Sequence, residues 1–347
     1  MCLVAVGQSP YPVDQVSQDT VFVSTRGKKS ILPVNFKTGE AYPLIDLPHK
    51  PRSTTRHQTQ PLALVGGADK SQTSVIDTSR MRLLETVGDG SGDPRRDFGG
   101  TLACGHPAWV SDKRFVHLDR IARRIELYSI GSGKQLKIKR MASLNLPTSP
   151  HHVVVHGRSM LVMCEGNQDS LTPPSVAKIK TSGQALIAER HTFLPVPSES
   201  LGHTGGHHLS VDSTNKKVYV GTADTRLYTL DSNSLDVLNY IDAGKGCGHV
   251  TLCPVIRLGV TTNHTDTFMT VFSLDTGRQV NRIEVSRPQQ GKNKTQGHTS
   301  KWFARKRLLY TSAAQDGKVL AIDVAAARIK RRRAIPGAYL IQGCFVE

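Results

Sequence analysis

The chain has 347 residues, with 45 Lys and Arg against 28 Asp and Glu, a formal net charge of +17, and 38% hydrophobic and 5% aromatic residues. This is the composition of a soluble globular protein and excludes a disordered or fibrous one. No apolar run approaches the roughly 20 residues that cross a bilayer as a helix, so no membrane span is expected.

Residues 1–7 are apolar, lack a basic region and are too short for a complete signal peptide. From there a β-rich run, a polar turn and a second β-rich run recur seven times. In chain order the copies are VFVSTRGKKSILPVN (21–35), LALVGGADKSQTSVID (62–77), FVHLDRIARRIELYSI (115–130), MLVMCEGNQDS (160–170), VYVGTADTRLYTLD (218–231), LGVTTNHTDTFMTVFSLD (258–275) and LLYTSAAQDGKVLAID (308–323). Successive starts lie 41, 53, 45, 58, 40 and 50 residues apart. That spacing is the period of a four-stranded propeller blade. Stretches such as SLDTGRQVNRIEV (273–285) and TLDSNSLDVLNYI (229–241) supply third and fourth strands.

The segment AYLIQGCFVE (338–347) reads as a lone first strand, whereas the N-terminal copy has no convincing first strand. Joining the two closes the ring and removes the exposed edges of an open β array. The expected fold is all-β: a single seven-bladed β-propeller over residues 1–347, closed by 338–347 with 20–50. In this it resembles YVTN-type propellers.

Histidine recurs at one place in the repeat. His106, His152, His208, His249 and His298 stand 8 to 10 residues before the second strands that start at Phe115, Met160, Val218, Leu258 and Leu308. The first strand of a blade lines the central channel, so equivalent positions converge on the axis. The loops between second and third strands open at the same mouth and would carry Lys70, Glu165, His264 and Asp266 to it. Lys70, Glu165 and Asp266 are the candidate catalytic residues, able to move a proton or fix an anion. His264 joins the five aligned histidines as the sixth candidate metal ligand. A bland alternative is the structural Gly-His of WD-repeat blades, whose imidazole bonds a turn aspartate, but no Trp-Asp signature occurs here.

Several imidazoles buried round one axis are costly without a partner. A metal removes that cost, and an all-imidazole donor set suits Cu, Zn, Fe and Ni. Copper, as more than one ion, is the expected cofactor. The ring, with the pairs His151-His152 and His207-His208, is similar to the catalytic domain of nitrous-oxide reductases and to thiocyanate dehydrogenases. That resemblance implies multicopper redox chemistry on a small sulfur- or nitrogen-containing substrate and a periplasmic or secreted protein. No Cys-x3-Cys-x3-His electron-entry segment is present. The second blade lacks an aligned histidine, with Arg52, Ser53 and Thr54 at the equivalent positions, and Cys344 in QGCF stands where the previous blade has QGHT.

The basic runs KIKR (137–140), ARKR (304–307) and IKRRR (329–333) read first as solvated rims. They also suit attraction of an anionic substrate or an acidic redox partner protein. They lack interleaved aromatics, so no nucleic acid is expected. Among six cysteines there is no CxxC, and Cys104 and Cys247 each precede a ring histidine by two residues. The rival function is a non-catalytic scaffold that offers its basic surface to a protein partner.

Overall fold

A computed structural model describes residues 20–25, 28–92, 103–131, 137–167, 170–197, 205–286, 297–313, 316–334 and 341–345. Among these, 28 strands, numbered β1 to β28 in chain order, form seven antiparallel four-stranded sheets. The chain is a seven-bladed β-propeller. Each blade is packed on both faces by its neighbours, so its middle strands read as continuous buried runs instead of alternating ones. In the second blade β5 (Leu62–Gly67) and β6 (Thr73–Asp77) are buried throughout, while the outermost strand β7 (Arg82–Val87) is largely half-exposed. The core lies between blades: Val116, Leu118, Ile125 and Leu127 of one pack with Val153, Met160 and Val162 of the next.

Ring closure follows the expected pattern. The C-terminal strand β28 (Ile341–Phe345) pairs with β1 (Thr20–Thr25), from Thr25 opposite Ile341 to Val21 opposite Phe345. The sheet continues through β2 (Ser30–Asn35) and β3 (Ile45–Asp46). Deleting residues 338–347 would leave β1 as an open edge and one blade short of its inner strand. The expected result is a broad calorimetric transition at lower temperature; an unchanged sharp melt would show that closure contributes nothing.

The inner strands share a local irregularity that sets up the mouth. Strands β4 (Pro51–Arg56), β12 (Pro150–His156), β16 (Gly206–Asp212), β20 (Cys247–Cys253) and β24 (Gly297–Phe303) each shift register against their neighbour at their first residues. The bulged residues are Arg52; His151; His207 and His208; Gly248 and His249; His298 and Thr299. A β-bulge re-aims side chains that a regular strand would send to alternate faces. In the third blade β8 (Ala108–Ser111) begins two residues after His106. There the His106 N–H donates to the His151 carbonyl at 2.7 Å. Gly105 permits that approach, since a Cβ would lie 2.8 Å from the carbonyls of Pro150 and His151.

His49 is fully buried with its Nε2 2.8 Å from the Ser74 hydroxyl. Burial pushes its pKa down to about 4. The unfolded chain takes up that proton near pH 6.5, so the stability His49 contributes is complete above about 6.5 and declines as pH falls towards 4. Between pH 7 and 5 the wild type should lose about 2 kcal/mol more than His49→Gln in denaturant titrations. Equal losses would contradict this.

Candidate metal centre at the propeller mouth

Four successive blades bring seven imidazoles into one cluster. Three sets have ligand nitrogens within 4.8 Å of one another: His106 with His208 and His249; His151 with His207 and His208; His207 with His249 and His264. His106, His208 and His249 are buried, whereas His207 and His264 are half-buried and give the cluster its opening to solvent. The Nε2 atoms of His106 and His208 are 3.2 Å apart. Two nitrogens bound about 2.0 Å from one tetrahedral ion would be separated by about 3.3 Å, so this spacing fits a shared ion. His264 lies over the backbone of Gly248, where a Cβ would come 2.2 Å from its Nε2. Any side chain at position 248 would therefore push His264 out of the cluster.

Five of the seven imidazoles are held neutral. Burial, then the charge of Arg52, pushes His106 well below the ordinary histidine value, and burial with the neighbouring imidazoles does the same to His208. His152 and His151 fall to about 3 and His264 to about 4, again through burial and then Arg52. Neutral imidazole is the form that coordinates metal. His106 and His208 bond each other and not a turn aspartate, which departs from the WD-type arrangement.

Arg52 occupies the place where the second blade lacks a histidine. It is 3% exposed, its Nη2 lies 2.9 Å from His151 Nε2, and its Nη1 donates to the Cys104 carbonyl at 3.4 Å. A guanidinium only donates, so His151 Nε2 must accept and its proton sits on Nδ1, which donates to Glu165. The other carboxylate oxygen of Glu165 pairs with the buried Arg120. Burial alone would raise Glu165, but Arg120, His151 and Arg52 outweigh it and hold the carboxyl at about 2. One carboxylate thus balances two buried guanidiniums through an imidazole. Glu165→Gln should destabilise the protein by about 3 kcal/mol in denaturant titrations, because it strands two buried cations; a loss under about 0.5 kcal/mol, typical of exposed pairs, would contradict this.

The other expected residues are placed as follows. His106, His208, His249 and His264 belong to the ligand-competent sets. The ring of His152 stands 4.1 Å from His208, and its Nδ1 accepts the Leu209 N–H at 3.4 Å, outside those sets. The His298 side chain lies outside the described residues, though its strand starts at the same mouth. Glu165 is in the cluster through His151. Asp266 instead accepts the Lys245 N–H at 2.6 Å and shapes a turn. Lys70 makes no hydrogen bond or ion pair to the cluster among the described residues, and its charge bears on His49. Cys104 hydrogen-bonds within a separate pocket to Thr73 and His117, and burial keeps Cys247 a thiol, its pKa pushed up to about 12. Position alignment picked one histidine in each of five blades; Arg52, His151 and His207 join because each is a bulge residue, and the adjacent pairs in the sequence were the available signal for the last two.

No protein-family model matches the chain, and no curated protein does either. Solved structures do. A putative 6-phosphogluconolactonase from Bacteroides fragilis superposes with a TM-score of 0.68 at 13% identity, covering 95% of this chain and 99% of that one. Sqt1 of Saccharomyces cerevisiae gives 0.62 at 12% identity, over 84% and 77% of the two chains. The β-propeller domain of Myceliophteria thermophila Cps50 (Swd1) gives 0.60 at 11%, over 86% and 94%. At these identities the likeness is one of fold: the chain shares the propeller architecture of these structures.

Proposed function

We propose that the mouth is a copper centre at which a small anionic molecule containing sulfur or nitrogen undergoes a redox reaction. The observation that carries this reading is the set of mutually close imidazoles from separate blades, His106 and His208 held neutral among them, with no thiolate or free carboxylate in the sets. His106, His208 and His249 form the first ligand set, and His207 and His264 extend it towards a second ion. All-nitrogen sites favour copper over the other divalent first-row ions. Bound copper would supply one-electron chemistry.

The chain's own residues bind and orient. Among the described residues, Arg52 is a buried cation with no carboxylate in direct contact and no hydrogen-bond acceptor at its Nε. It faces the imidazole cluster, so a small anion there would gain a charge-assisted hydrogen bond. His151 and Glu165 fix the guanidinium and keep a proton at His151 Nδ1. The half-buried His207 and His264 leave the approach open to solvent.

Metal content by mass spectrometry after exposure to equal copper and zinc tests the reading. Wild type should retain copper in preference to zinc and melt at higher temperature when loaded, since the metal binds the folded ring and not the chain. His208→Ala and His249→Ala should lose most of the copper and any oxidase or reductase activity while remaining folded. His191→Ala, whose Nε2 contacts the Ser175 hydroxyl far from the cluster at 2.7 Å, should match wild type. Equal copper in wild type and both ring variants would overturn the site and favour a basic scaffold with structural histidines.

A further inference from the structure

One of the three ligand-competent sets already meets a cation of the chain itself. His151, His207 and His208 bring nitrogens within 4.8 Å of one another. His151, however, has both ring nitrogens engaged: Nδ1 donates to Glu165, and Nε2 accepts from Arg52 Nη2 at 2.9 Å. A neutral imidazole has one ring nitrogen with a lone pair to give, and that lone pair is what a metal takes. An ion about 2.0 Å from that nitrogen would overlap the guanidinium nitrogen that faces it. The set therefore holds either Arg52 or an ion. The other two sets do not include His151.

The backbone shows why a guanidinium stands there. Arg52 is the extra residue between Pro51 and Ser53 of β4, as His151 is the extra residue between Pro150 and His152 of β12. Both bulges follow a proline and re-aim one side chain. The second blade thus offers a guanidinium from the position at which the fourth blade offers an imidazole. A Cβ at Gly66, opposite the bulge, would lie 2.8 Å from the Gly105 carbonyl and 2.9 Å from Ser53 Oγ, so the bulge is pressed between its own blade and the third. From there Arg52 reaches two other blades, donating to the Cys104 carbonyl at 3.4 Å as well as to His151. A metal ion at a mouth of this kind has the same part, a positive charge that takes up lone pairs from several blades.

Charge acts in the same direction as geometry. Glu165 reaches Arg52 by way of His151 and pairs directly with Arg120. An ion beside Arg52 would add a like charge to a buried space whose ligand sets contain no carboxylate. With a neutral residue at position 52, Glu165 is matched by Arg120 alone and the His151 lone pair is released. We propose that Arg52 is a built-in plug that stands in for a metal ion at the set of His151, His207 and His208, so that metal enters the wild-type mouth through the other two sets only. The inference rests on the reading of the mouth as a metal centre and adds the residue that fixes how many ions it takes.

Native mass spectrometry of the full chain, loaded with copper(I) and stripped of weakly held metal, counts ions per chain. Arg52→Leu should carry a further copper relative to wild type, and Arg52→Ala, which leaves more room, provides the same comparison if the leucine variant folds poorly. Combining Arg52→Leu with His151→Ala should return the count to that of wild type, because the added site needs the released nitrogen. Wild type supplies a check without any substitution: in imidazole nitrogen NMR spectra of the copper(I)-loaded chain, His151 Nε2 should keep its metal-free shift while nitrogens of His106 and His249 move. An unchanged count in the folded Arg52 variants, a further copper that survives loss of His151, or a His151 nitrogen that moves when wild type is loaded would overturn the proposal. Copper in Arg52→Leu with none in wild type would overturn the copper reading of the wild-type mouth and still show the plug.

Discussion

Convergence of seven inner strands on one axis is the constraint on which the rest of this molecule depends. Once β28 pairs with β1, every blade is held at a fixed rotation from its neighbours, and residues over a hundred positions apart come within bonding distance. His106 and His208, 102 residues apart, are an example. Both ends of the chain are needed for the circle that makes the mouth.

Burial then decides the chemistry of the mouth. Imidazoles that would titrate near neutrality in water stay neutral because they are desolvated and because Arg52 already holds a positive charge among them. That charge is tolerated through Glu165, reached by way of His151 and shared with Arg120. The result is a set of metal-competent nitrogens beside a fixed cation, the arrangement on which the proposed binding of an anion rests. Basic side chains gather separately on the outermost strand β27 (Arg328–Ala334) and in the turn at 304–307.

Much of the fold was legible in the residues. The alternation of short β-rich runs with Asn, Asp and Gly turns, at a period near 48, led to seven blades. The mismatch between a lone strand at 338–347 and an N-terminal blade without one led to the closure that β28 and β1 make. Recurrent histidines before the second strands located the mouth, and His106, His208, His249 and His264 come together there. These features were readable because repeats and strand registers are local, and each blade repeats the same solution.

The sequence by itself determined the blades and the histidine-rich mouth, because those follow from patterns repeated within some fifty residues, and the closure, because a lone strand at one end matched a missing one at the other. Tertiary structure alone decided which groups face each other. Arg52 stood in the sequence as a gap in the histidine series, and only a register shift at Pro51–Ser53, opposite Gly66 and Gly67, turns it into the cluster. Lys70 and Asp266 had the same claim from their loops as Glu165, but Asp266 is occupied by the Lys245 backbone while Glu165 meets His151 and the buried guanidinium of Arg120. Bulges, backbone approach at glycine and the pairing of buried charges depend on neighbours from other blades, and no pattern within one blade encodes them.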